Sequence, residues 1–365
     1  MMKRRISVGI GLSGGVDSSV AAALLVQQGY HVVGLSMKIF DPSIGELRSL
    51  RNACFGPGEE QDIEAASEIC KHLGIPFHCI DLTEEYRQTV LDYFRQEYLA
   101  GRTPNPCIVC NKHIKFDLLI KKAWKANVEF QYFATGHYAR IEKSGRRYVL
   151  KKGLDPEKDQ SYFLYSLSQK QLSRTLFPLG RLTKHKVRKL AISMGLKSAD
   201  RPESQDFLSG GNYGVLFHKS EMPPGQIVDQ KGNLLGYHKG IGYYTIGQRR
   251  GLGISAPHPL YVIQIDAEKN RIVVGPKEQL FSRGALVSRL NLIIMDSLGG
   301  PLKVTTKIRF RHKEAHATLI PHEGNRALVL FDKPQRAVTP GQSAVFYLGD
   351  LVVGGGIIEE SLQGK

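Results

Sequence analysis

Hydrophobic positions in the first part of the chain follow a repeated pattern, in which a short apolar run precedes a longer helical run. The opening run reads RRISVGIGL and predicts a buried strand. A loop of small residues, SGGVDSS, comes next, and VAAALLVQQGY then predicts a helix that ends at Gly29. The run HVVGLSMKIF predicts a second strand. A strand, a glycine-rich corner, a helix and another strand together indicate a parallel α/β sheet.

The same pattern recurs farther along the chain. EEQDIEAASEICKHLGIPFHCIDL predicts a helix closed by Gly74 and a strand that runs into Asp81, and QYFATGHYARIE predicts a strand followed by a polar corner. LTKHKVRKLAISMGL predicts a helix with Thr183 as its N-cap and Gly195 at its C-terminal end. We therefore expect one α/β domain over residues 1–205.

The pattern changes after about residue 205. Turns interrupt GQIVDQKGNLLGYHKGIGYYTIGQRRGLGI every few residues, and little helical periodicity remains. From about residue 285 onward, apolar and polar positions alternate, with glycine, proline and asparagine between the runs. Short strands at this spacing predict small β modules or barrels. We expect a small central β-rich domain over residues 206–284 and a C-terminal β domain over residues 285–365.

The charge of the chain suggests a partner. The 365 residues include 50 Lys and Arg against 34 Asp and Glu, a net charge of +16. The excess is +9 over residues 1–210 (31 − 22) and +7 over residues 211–365 (19 − 12), so it is spread along the chain. A basic surface on several domains suits a large polyanion such as a nucleic acid. The alternative is that the charge serves solubility alone.

The sequence predicts no targeting signal, and together with the cysteine content this leads us to expect a cytoplasmic protein. No apolar run is long enough to predict a membrane-spanning helix, so no membrane partner is expected. The N-terminal MMKRRISVGIGLSGG has a short apolar run broken by serine and glycine, and we interpret it as the first strand and not as a signal peptide. Five cysteines are an odd number, and reduced thiols are the expectation. In a protein with reduced thiols, a C-x-x-C motif more often takes part in a reaction or binds a metal than forms a structural disulfide.

The loop between the first strand and the first helix is a candidate phosphate site. Its glycines allow the backbone to approach a ligand, and its amides and the helix N-terminus point the same way and bind an anion. The hydroxyls of Ser13 and Ser18 add donors, whereas the carboxylate of Asp17 would repel phosphate unless a Mg²⁺ ion is shared. The alternative is a helix cap after a tight turn. The loop is not a Walker A motif, because G-x-x-x-x-G-K-[ST] is absent.

A second candidate site is RTPNPCIVCNKHIKF, which contains Cys107 and Cys110. This stretch is compatible with four interpretations: a metal-binding site, a redox pair, a sulfur carrier, or a turn with two buried thiols. Further polar stretches include ATGHY, KDQSYFL and ESQDF, and TIGQRRGLGI is a basic loop suited to phosphate contacts. KIRFRH is expected to alternate basic side chains along one face of a strand, with Phe310 available to stack on a base, which suits an RNA surface.

Taken in order, these motifs resemble those of the tRNA-specific 2-thiouridylases, in the PP-loop ATP pyrophosphatase superfamily. The resemblance rests on SGGVDSS, GLSMK, GRTPNPCxxCNKxIKF, ATGHYAR, KDQSYFL, ESQDF, YYTIGQRRGLGI and TPGQSAVFY, and it covers nearly the whole chain. It implies a PP-loop catalytic domain, a small central β domain that contacts tRNA and a C-terminal tRNA-binding β-barrel. It also implies a sulfurtransferase that uses ATP and Mg²⁺ to adenylate the C2 oxygen of the wobble uridine in tRNAs for Lys, Glu and Gln. The enzyme then replaces that oxygen with sulfur. The sulfur donor would be a cysteine desulfurase, a sulfur-carrier protein or inorganic sulfide.

The resemblance also implies roles for individual residues. Cys110 matches the family's nucleophile, which carries the transferable sulfur. The residues expected to hold ATP are Gly11, Leu12, Ser13, Gly14, Gly15, Val16, Asp17, Ser18, Met37 and Gly136. The residues expected to frame the target base are Asn105, Pro106 and Cys107. The further residues expected to touch tRNA are His137, Lys158, Asp159, Gln160, Arg309, Phe310 and Gln342.

The chain departs from the best-known branch of this family at two positions. Cys107 stands where that branch has an aspartate, and the ESQDF junction lacks the second catalytic cysteine. Core packing is expected for Cys70 and Cys79, and Cys54 falls in a loop of uncertain role. The two-cysteine relay of that branch therefore cannot be copied directly.

Three interpretations of the site at Cys107 and Cys110 remain open. A [4Fe–4S] cluster could be held by Cys107, Cys110 and Asp206, the last in place of the missing cysteine. Cys107 and Cys110 could instead form a persulfide relay between themselves. A zinc site would need further ligands, of which His113 is one candidate. Two rival functions also remain, a PP-loop adenylating enzyme acting on a small molecule and an RNA-binding or iron–sulfur scaffold without turnover.

Overall fold

The computed structural model of the protein describes residues 6–44, 53–200, 206–208 and 213–362. The chain forms two compact units. The first holds residues 1–90, 107–212 and 350–352, and the second holds residues 91–106, 213–349 and 353–365. The segment 91–106, which directly precedes Cys107 and Cys110, thus belongs to the second unit. The domain boundaries expected at residues 205 and 284 stay predictions.

Helices occur in both units. The α-helices are α1 (Val16–Gln27), α2 (Glu59–Leu73), α3 (Thr83–Tyr86), α4 (Asp92–Leu99), α5 (Pro106–Val109), α6 (Leu119–Lys125), α7 (Gln169–Leu172) and α8 (Lys184–Ser193). Two helical runs take π geometry, at Arg87–Leu91 and Cys110–Leu118. Short 3-10 turns cover Ser161–Phe163, Lys197–Asp200, Tyr213–Leu216, Lys219–Glu221, Ile241–Tyr243 and Lys277–Leu280. π segments are rare and occur often at functional sites. No helix among the described residues is long and apolar enough to cross a membrane.

The first unit is built on a parallel sheet. The described strands of this unit are β1 (Ser7–Gly11), β2 (His31–Lys38), β3 (Ala53–Phe55), β4 (Phe77–Asp81), β5 (Tyr132–Ala134), β6 (Ala139–Ser144), β7 (Arg147–Lys152), β8 (Thr175–Leu176) and β9 (Asp206–Leu208). Five strands form the parallel sheet in the order β4-β2-β1-β5-β8. The predicted α/β sheet is confirmed. Strands β6 and β7 form a hairpin, and β3 pairs in parallel with β9.

Local signals placed the helix ends of this unit correctly. Gly74 closes α2 in a left-handed conformation, with φ 65°, as a C-terminal glycine does. Thr183 caps α8 by accepting a hydrogen bond from the Lys186 amide at 3.3 Å. Cys70 is buried in the core as expected, and burial raises its pKa to about 12. Cys79 is exposed, so its expected core packing is wrong, because β4 is an edge strand of the sheet.

The second unit is rich in β-structure, as predicted. Strands β10 (Gly225–Val228), β11 (Leu234–His238), β12 (Tyr261–Asp266) and β13 (Arg271–Gly275) form a sheet in the order β11-β10-β13-β12. The later strands are β14 (Phe281–Leu292), β15 (Leu302–Lys307), β16 (Ala315–His322), β17 (Arg326–Arg336), β18 (Ser343–Leu348) and β19 (Leu351–Leu362). They follow the order β14-β17-β16-β15-β18-β19, and pairing of β14 with β19 closes a six-stranded barrel. The barrel is filled by alternating apolar residues such as Val287, Leu319 and Phe346.

One strand prediction in this unit is wrong. KIRFRH was expected to continue as a strand, but β15 ends at Lys307 and the next residues bend into a turn. Arg309 donates from Nη2 to the carbonyl of Arg336 at 2.9 Å. Arg309 and Phe310 therefore do not alternate along one strand face, and their contact with RNA stays a prediction.

Candidate active site

The phosphate corner follows β1 and leads into α1. Gly14 has a left-handed backbone, with φ 68°, which glycine adopts without strain. The Ser13 amide donates to Ser18 Oγ at 3.3 Å, and the Ser18 hydroxyl donates to the Gly15 carbonyl at 3.1 Å. Gly15 is the N-cap and offers no side chain, so no side-chain hydrogen bond caps the helix. A helix N-terminus therefore opens on a preformed corner, an arrangement that binds anions.

Asp17 has a partner that the sequence did not reveal. The Lys184 ammonium lies 2.8 and 2.7 Å from the two carboxylate oxygens, and the Tyr138 hydroxyl donates to Oδ1 at 2.7 Å. Lys184 is only 7% exposed, whereas the side chain of Asp17 is 29% exposed, so the ammonium is shielded from water and the carboxylate is partly open to it. The expected repulsion between Asp17 and phosphate is therefore reduced by a cation from α8. A lysine in the first turn of a helix gave no sequence signal for this contact.

Two other predicted ATP residues lie at the same edge of the sheet. Gly136 packs directly on the start of α1, since a Cβ atom there would come within 2.8 Å of the Asp17 carbonyl carbon and the Ser18 amide nitrogen. Only glycine allows this approach. Met37 is half-buried near the carboxyl end of β2, which pairs with β1. Ligands of open α/β sheets bind at the carboxyl ends of the strands.

The two neighbouring cysteines differ in exposure. Cys107 lies in α5 and is half-buried, whereas Cys110 begins the π segment and is 9% exposed. Burial raises the pKa of Cys110 to about 11, against an opposing effect of the positive charge on Lys115. Burial alone would lower the pKa of Lys115, yet the thiol charges of Cys110, Cys54 and Cys107 outweigh it and hold that pKa above its usual value. Lys115 and these three cysteines therefore form one electrostatic neighbourhood.

Cys54 is the member of this neighbourhood that sequence reasoning missed. It was expected in a loop, but it lies in β3 and its side chain is exposed. In the pairing of β3 with β9, Ala53 is opposite Asp206 and Phe55 is opposite Leu208. The Phe55 ring stacks on Tyr86, with ring centroids 5.5 Å apart. Only long-range pairing brings Cys54 here, so spacing along the chain carried no signal.

The expected metal ligands are not assembled among the residues that the structure describes. In that part of the chain, no group of three or more His, Cys, Asp or Glu side chains is placed to hold a metal ion. The side chain of Asp206 lies outside the described residues, as do Glu203, Ser204 and Gln205 of the same motif. His113 is exposed, and burial of part of its ring lowers its pKa. The described side chains therefore give no support to a cluster or a zinc site, and the expected cluster stays a prediction.

The ATGHY and KDQ stretches are joined by hydrogen bonds. The Tyr138 amide donates to Gln160 Oε1 at 3.0 Å, and the Gln160 amide donates to the Tyr138 carbonyl at 2.9 Å. Asp159 is buried and accepts hydrogen bonds from the amides of Gly153 and Ser161. Its carboxylate therefore orders the loop that carries half-buried Lys158. The tRNA contacts expected for Lys158, Asp159 and Gln160 stay predictions.

His137 links this loop to the thiol segment. Its ring centroid lies 6.1 Å from that of Phe116, which belongs to the π segment that begins at Cys110. Thr135 Oγ1 is 2.7 Å from His137 Nδ1. Burial and then the nearby charge of Lys115 lower the pKa of His137 to about 3. His137 is therefore neutral at physiological pH, which suits a hydrogen bond to a base better than a charged contact with phosphate.

In the second unit, Gln342 holds the segment ahead of the target-base residues. Its Nε2 donates to the carbonyls of Thr103 and Pro104 at 3.0 and 3.2 Å, and the Thr103 amide donates to the Pro340 carbonyl at 2.9 Å. Asn105 follows directly and is half-buried. The side-chain amide of Gln342, a residue expected to touch tRNA, thus positions the backbone next to Asn105.

Comparisons with known proteins were made against this geometry. A family model described as tRNA methyl transferase HUP domain matches residues 6–208, more than half of the chain. A protein named tRNA-specific 2-thiouridylase MnmA 2 from Caldanaerobacter subterraneus is 46% identical, with 99% of this chain and 100% of that protein covered. The chain belongs to the tRNA-specific 2-thiouridylase family. Two 2-thiouridylases agree: one from Acetivibrio thermocellus is 45% identical, covering 98% of this chain and 100% of that protein, and one from Thermoanaerobacter pseudethanolicus is 48% identical, covering 98% of each.

Family models also match the rest of the thiouridylase chain in order. A model described as tRNA methyl transferase PRC-barrel domain matches residues 215–276, and one described as aminomethyltransferase beta-barrel domain matches residues 282–358. The model descriptions name methyltransferases, whereas the full-length relatives are named 2-thiouridylases. Sequence identity over the whole length is more specific than the description of a family model. We therefore assign the family from the names of the full-length relatives.

Proposed function

We propose that this protein is a tRNA-uridine 2-sulfurtransferase. It replaces the C2 oxygen of the wobble uridine in tRNAs for Lys, Glu and Gln with sulfur and converts ATP to AMP and pyrophosphate. One observation supports this above the others. His137 follows Gly136, which packs on the phosphate corner, and its ring also lies 6.1 Å from Phe116 in the segment that begins at Cys110. Gly136 and His137 thus contact both the phosphate corner and the segment that begins at Cys110, within one unit, which supports a shared site.

The adenylation step uses the phosphate corner. The uridine C2 oxygen attacks the α-phosphate of ATP, pyrophosphate leaves, and the base becomes adenylated. The backbone amides at Gly14, Gly15 and Val16 would hold the phosphates, and Lys184 offsets the charge of Asp17 beside them. Mg²⁺ bound with ATP would supply further positive charge to the phosphates. The base must leave its stack to reach the site.

In the sulfur step, a nucleophile on Cys110 attacks C2, and AMP departs with the original oxygen. The pKa of about 11 keeps the Cys110 thiol protonated at neutral pH, so a persulfide on Cys110 is the better nucleophile. The expected [4Fe–4S] cluster gains no support from the described residues, which hold no three-ligand group. Iron and acid-labile sulfide analysis after anaerobic purification tests it. Active protein that is colourless and free of iron excludes the cluster.

The partners follow from this reaction. They are tRNA, contacted by the central domain expected over residues 206–284 and the C-terminal domain expected over residues 285–365, and a sulfur donor. The donor is a cysteine desulfurase, a sulfur-carrier protein or inorganic sulfide, and the expected location is the cytoplasm, where tRNA and reduced thiols are available. The net charge of +16 suits the polyanionic substrate.

Mass spectrometry of tRNA nucleosides tests the proposal. Unmodified tRNA is incubated with the full-length protein, ATP, Mg²⁺ and, in separate arms, each sulfur donor. We expect 2-thiouridine together with tRNA-dependent formation of AMP. A methylated nucleoside formed in a further arm that contains a methyl donor would instead indicate the activity named in the family models. AMP formed without tRNA would indicate a small-molecule substrate. An RNA-binding scaffold would bind tRNA and form neither product.

A further inference from the structure

A persulfide that transfers its outer sulfur leaves a chemical problem at Cys110. After attack on C2, the base is joined to Cys110 through a disulfide, and 2-thiouridine is released only when another thiol attacks that bond. The family branch with a cysteine at the ESQDF junction has a candidate there, but this chain has Asp206. Some other thiol must do this work if the proposed function is correct.

Strand pairing places Cys54 beside that junction. Residue 53 is opposite residue 206 in the parallel pair of β3 and β9, so Cys54 lies on the strand next to the one that lacks the cysteine. A cysteine at 54 therefore occupies the neighbourhood in which a cysteine at 206 would stand.

Tyr86 lies between β3, the strand that carries Cys54, and the segment that begins at Cys110. The ring of Phe55, next to Cys54, stacks on Tyr86 with an interplanar angle of 9°. Tyr86 belongs to α3, which packs against the π segment that begins at Cys110. Burial raises the pKa of Tyr86 well above its usual value, and the charges of Cys110, Cys54 and Cys107 raise it further. The same buried ring is thus flanked by β3 and by the thiol segment.

We propose that Cys54 is the resolving thiol of the sulfur transfer, an inference that rests on the proposed function. The Cys54 thiolate attacks Sγ of Cys110 in the uridine–S–S–Cys110 adduct. The bond between the two sulfurs breaks, its electron pair leaves with the transferred sulfur, and N3 of the base takes up a proton to give 2-thiouridine. Cys54 and Cys110 are left as a disulfide, which a cellular dithiol reduces by two electrons.

The exposure of the two thiols fits this division of work. Cys110 is 9% exposed, which protects a persulfide from water and from stray thiols. Cys54 is exposed, so a disulfide that includes it can be reached by an external dithiol. Cys107 is half-buried and three residues from Cys110 on one helical run, which makes it the rival for this role.

The experiment compares single serine variants in one turnover without reductant. Full-length protein is loaded with persulfide by a cysteine desulfurase and free cysteine, freed of excess donor, and mixed with ATP, Mg²⁺ and unmodified tRNA. For Cys54→Ser, we expect a covalent protein–tRNA adduct, because adenylation and attack on C2 proceed but 2-thiouridine is not released. Dithiothreitol should cleave this adduct, since it is joined by a disulfide. Cys107→Ser and Cys79→Ser should form no such adduct, and Cys79 is the matched control because it is also exposed. In the wild type, peptide mapping should find the Cys54–Cys110 disulfide.

The outcomes separate this inference from the proposed function. If the wild type makes no 2-thiouridine with any donor, the proposed function fails. If it makes 2-thiouridine but the adduct accumulates in Cys107→Ser and the mapped disulfide joins Cys107 to Cys110, Cys54 is not the resolving thiol. Iron bound in a Cys54-dependent manner, with no disulfide in the wild type after turnover, also overturns the inference. Steady-state turnover of Cys54→Ser with dithiol present should fall roughly tenfold, while the rate of adduct formation stays near the wild-type rate.

Discussion

The phosphate corner and the thiol site place charge differently, although both lie in the first unit. At the corner, the carboxylate of Asp17 meets the Lys184 ammonium at 2.7 and 2.8 Å, so the carboxylate is paired with one cation held at a fixed position. At the thiol site, the ammonium of Lys115 lies among thiols, whose charge depends on protonation and oxidation. The corner suits a ligand of constant charge such as ATP, and the thiol site suits groups that change state in every turnover.

The most severe test of this division is Cys110→Ser. The variant removes the sulfur carrier and leaves the corner intact, so we expect 2-thiouridine to fall by about a thousandfold or more while tRNA-dependent adenylation continues. Nucleoside mass spectrometry measures the first activity, and exchange of labelled pyrophosphate into ATP measures the second. Cys79→Ser should keep both. Loss of both activities in Cys110→Ser would show that the two regions do not work separately.

The next largest effect is expected at the ion pair of the corner. Lys184→Met leaves the Asp17 carboxylate beside bound phosphates without its cation, so the KM for ATP should rise. Removing one partner of a buried pair destabilises a protein by about 3 kcal/mol or more, and the 29% exposure of Asp17 places the effect near that lower value. Urea unfolding and ATP kinetics measure the two effects.

Two further variants test that interpretation. In Asp17→Asn/Lys184→Met, no uncompensated charge remains, and much of the lost stability should return. Lys186→Met changes an exposed lysine on the same helix and should alter neither quantity. Equal effects of the two lysine variants would mean that the general charge of α8 matters and not the contact with Asp17.

The same comparison shows what the sequence could predict. The corner is a local feature: glycine, serine and the change from strand to helix period lie within a dozen residues, and β1, α1 and β2 formed as predicted. Lys184 lies 167 residues from Asp17, and Cys54 lies beside the ESQDF junction because β3 pairs with β9. Contacts of this kind depend on tertiary structure and leave no periodic signal in one sequence.

Two residues expected to touch tRNA also have partners inside the protein that the sequence did not reveal. Asp159 and Gln342 were expected to touch tRNA because the motifs that contain them resemble those of the family. In the structure, Asp159 is buried among backbone amides, and the Gln342 amide nitrogen holds two carbonyls. Buried polar groups need internal partners, and a sequence does not say which polar residues will be buried.

Gly136→Ala tests how closely the corner must be packed. The added methyl would lie 2.8 Å from backbone atoms of Asp17 and Ser18, so the start of α1 must shift. Overpacking of this kind costs about 1–3 kcal/mol, and the displaced corner should weaken ATP binding. Calorimetric titration with a non-hydrolysable ATP analogue measures the binding. Gly299→Ala, at a glycine with open space around it, is the control, and unchanged ATP binding in Gly136→Ala would contradict the close approach.

A smaller and pH-dependent effect is expected at Lys115. Burial raises the pKa of Cys110 to about 11, and the Lys115 charge opposes that rise. Lys115→Met should therefore raise the pKa further, so the reactive thiolate forms at higher pH and alkylation at a fixed alkaline pH slows several-fold. Iodoacetamide labelling of the Cys110 peptide as a function of pH measures this. Lys112→Met is the control from the same segment, and a labelling profile that is the same in both variants would remove Lys115 from the thiol site.

The smallest effect is expected from Gln342→Leu, in the unit that holds neither the corner nor the thiols. The variant removes two hydrogen bonds to the carbonyls of Thr103 and Pro104, each with a net value of about 1 kcal/mol. Because these bonds order the backbone next to Asn105, the KM for tRNA should rise a few-fold while the KM for ATP stays constant. Gln264→Leu changes an exposed glutamine of the same unit and should change neither value. A rise in the KM for ATP would mean that the corner also depends on this segment, and the contrast between a fixed ATP corner and a separately ordered tRNA segment would then be lost.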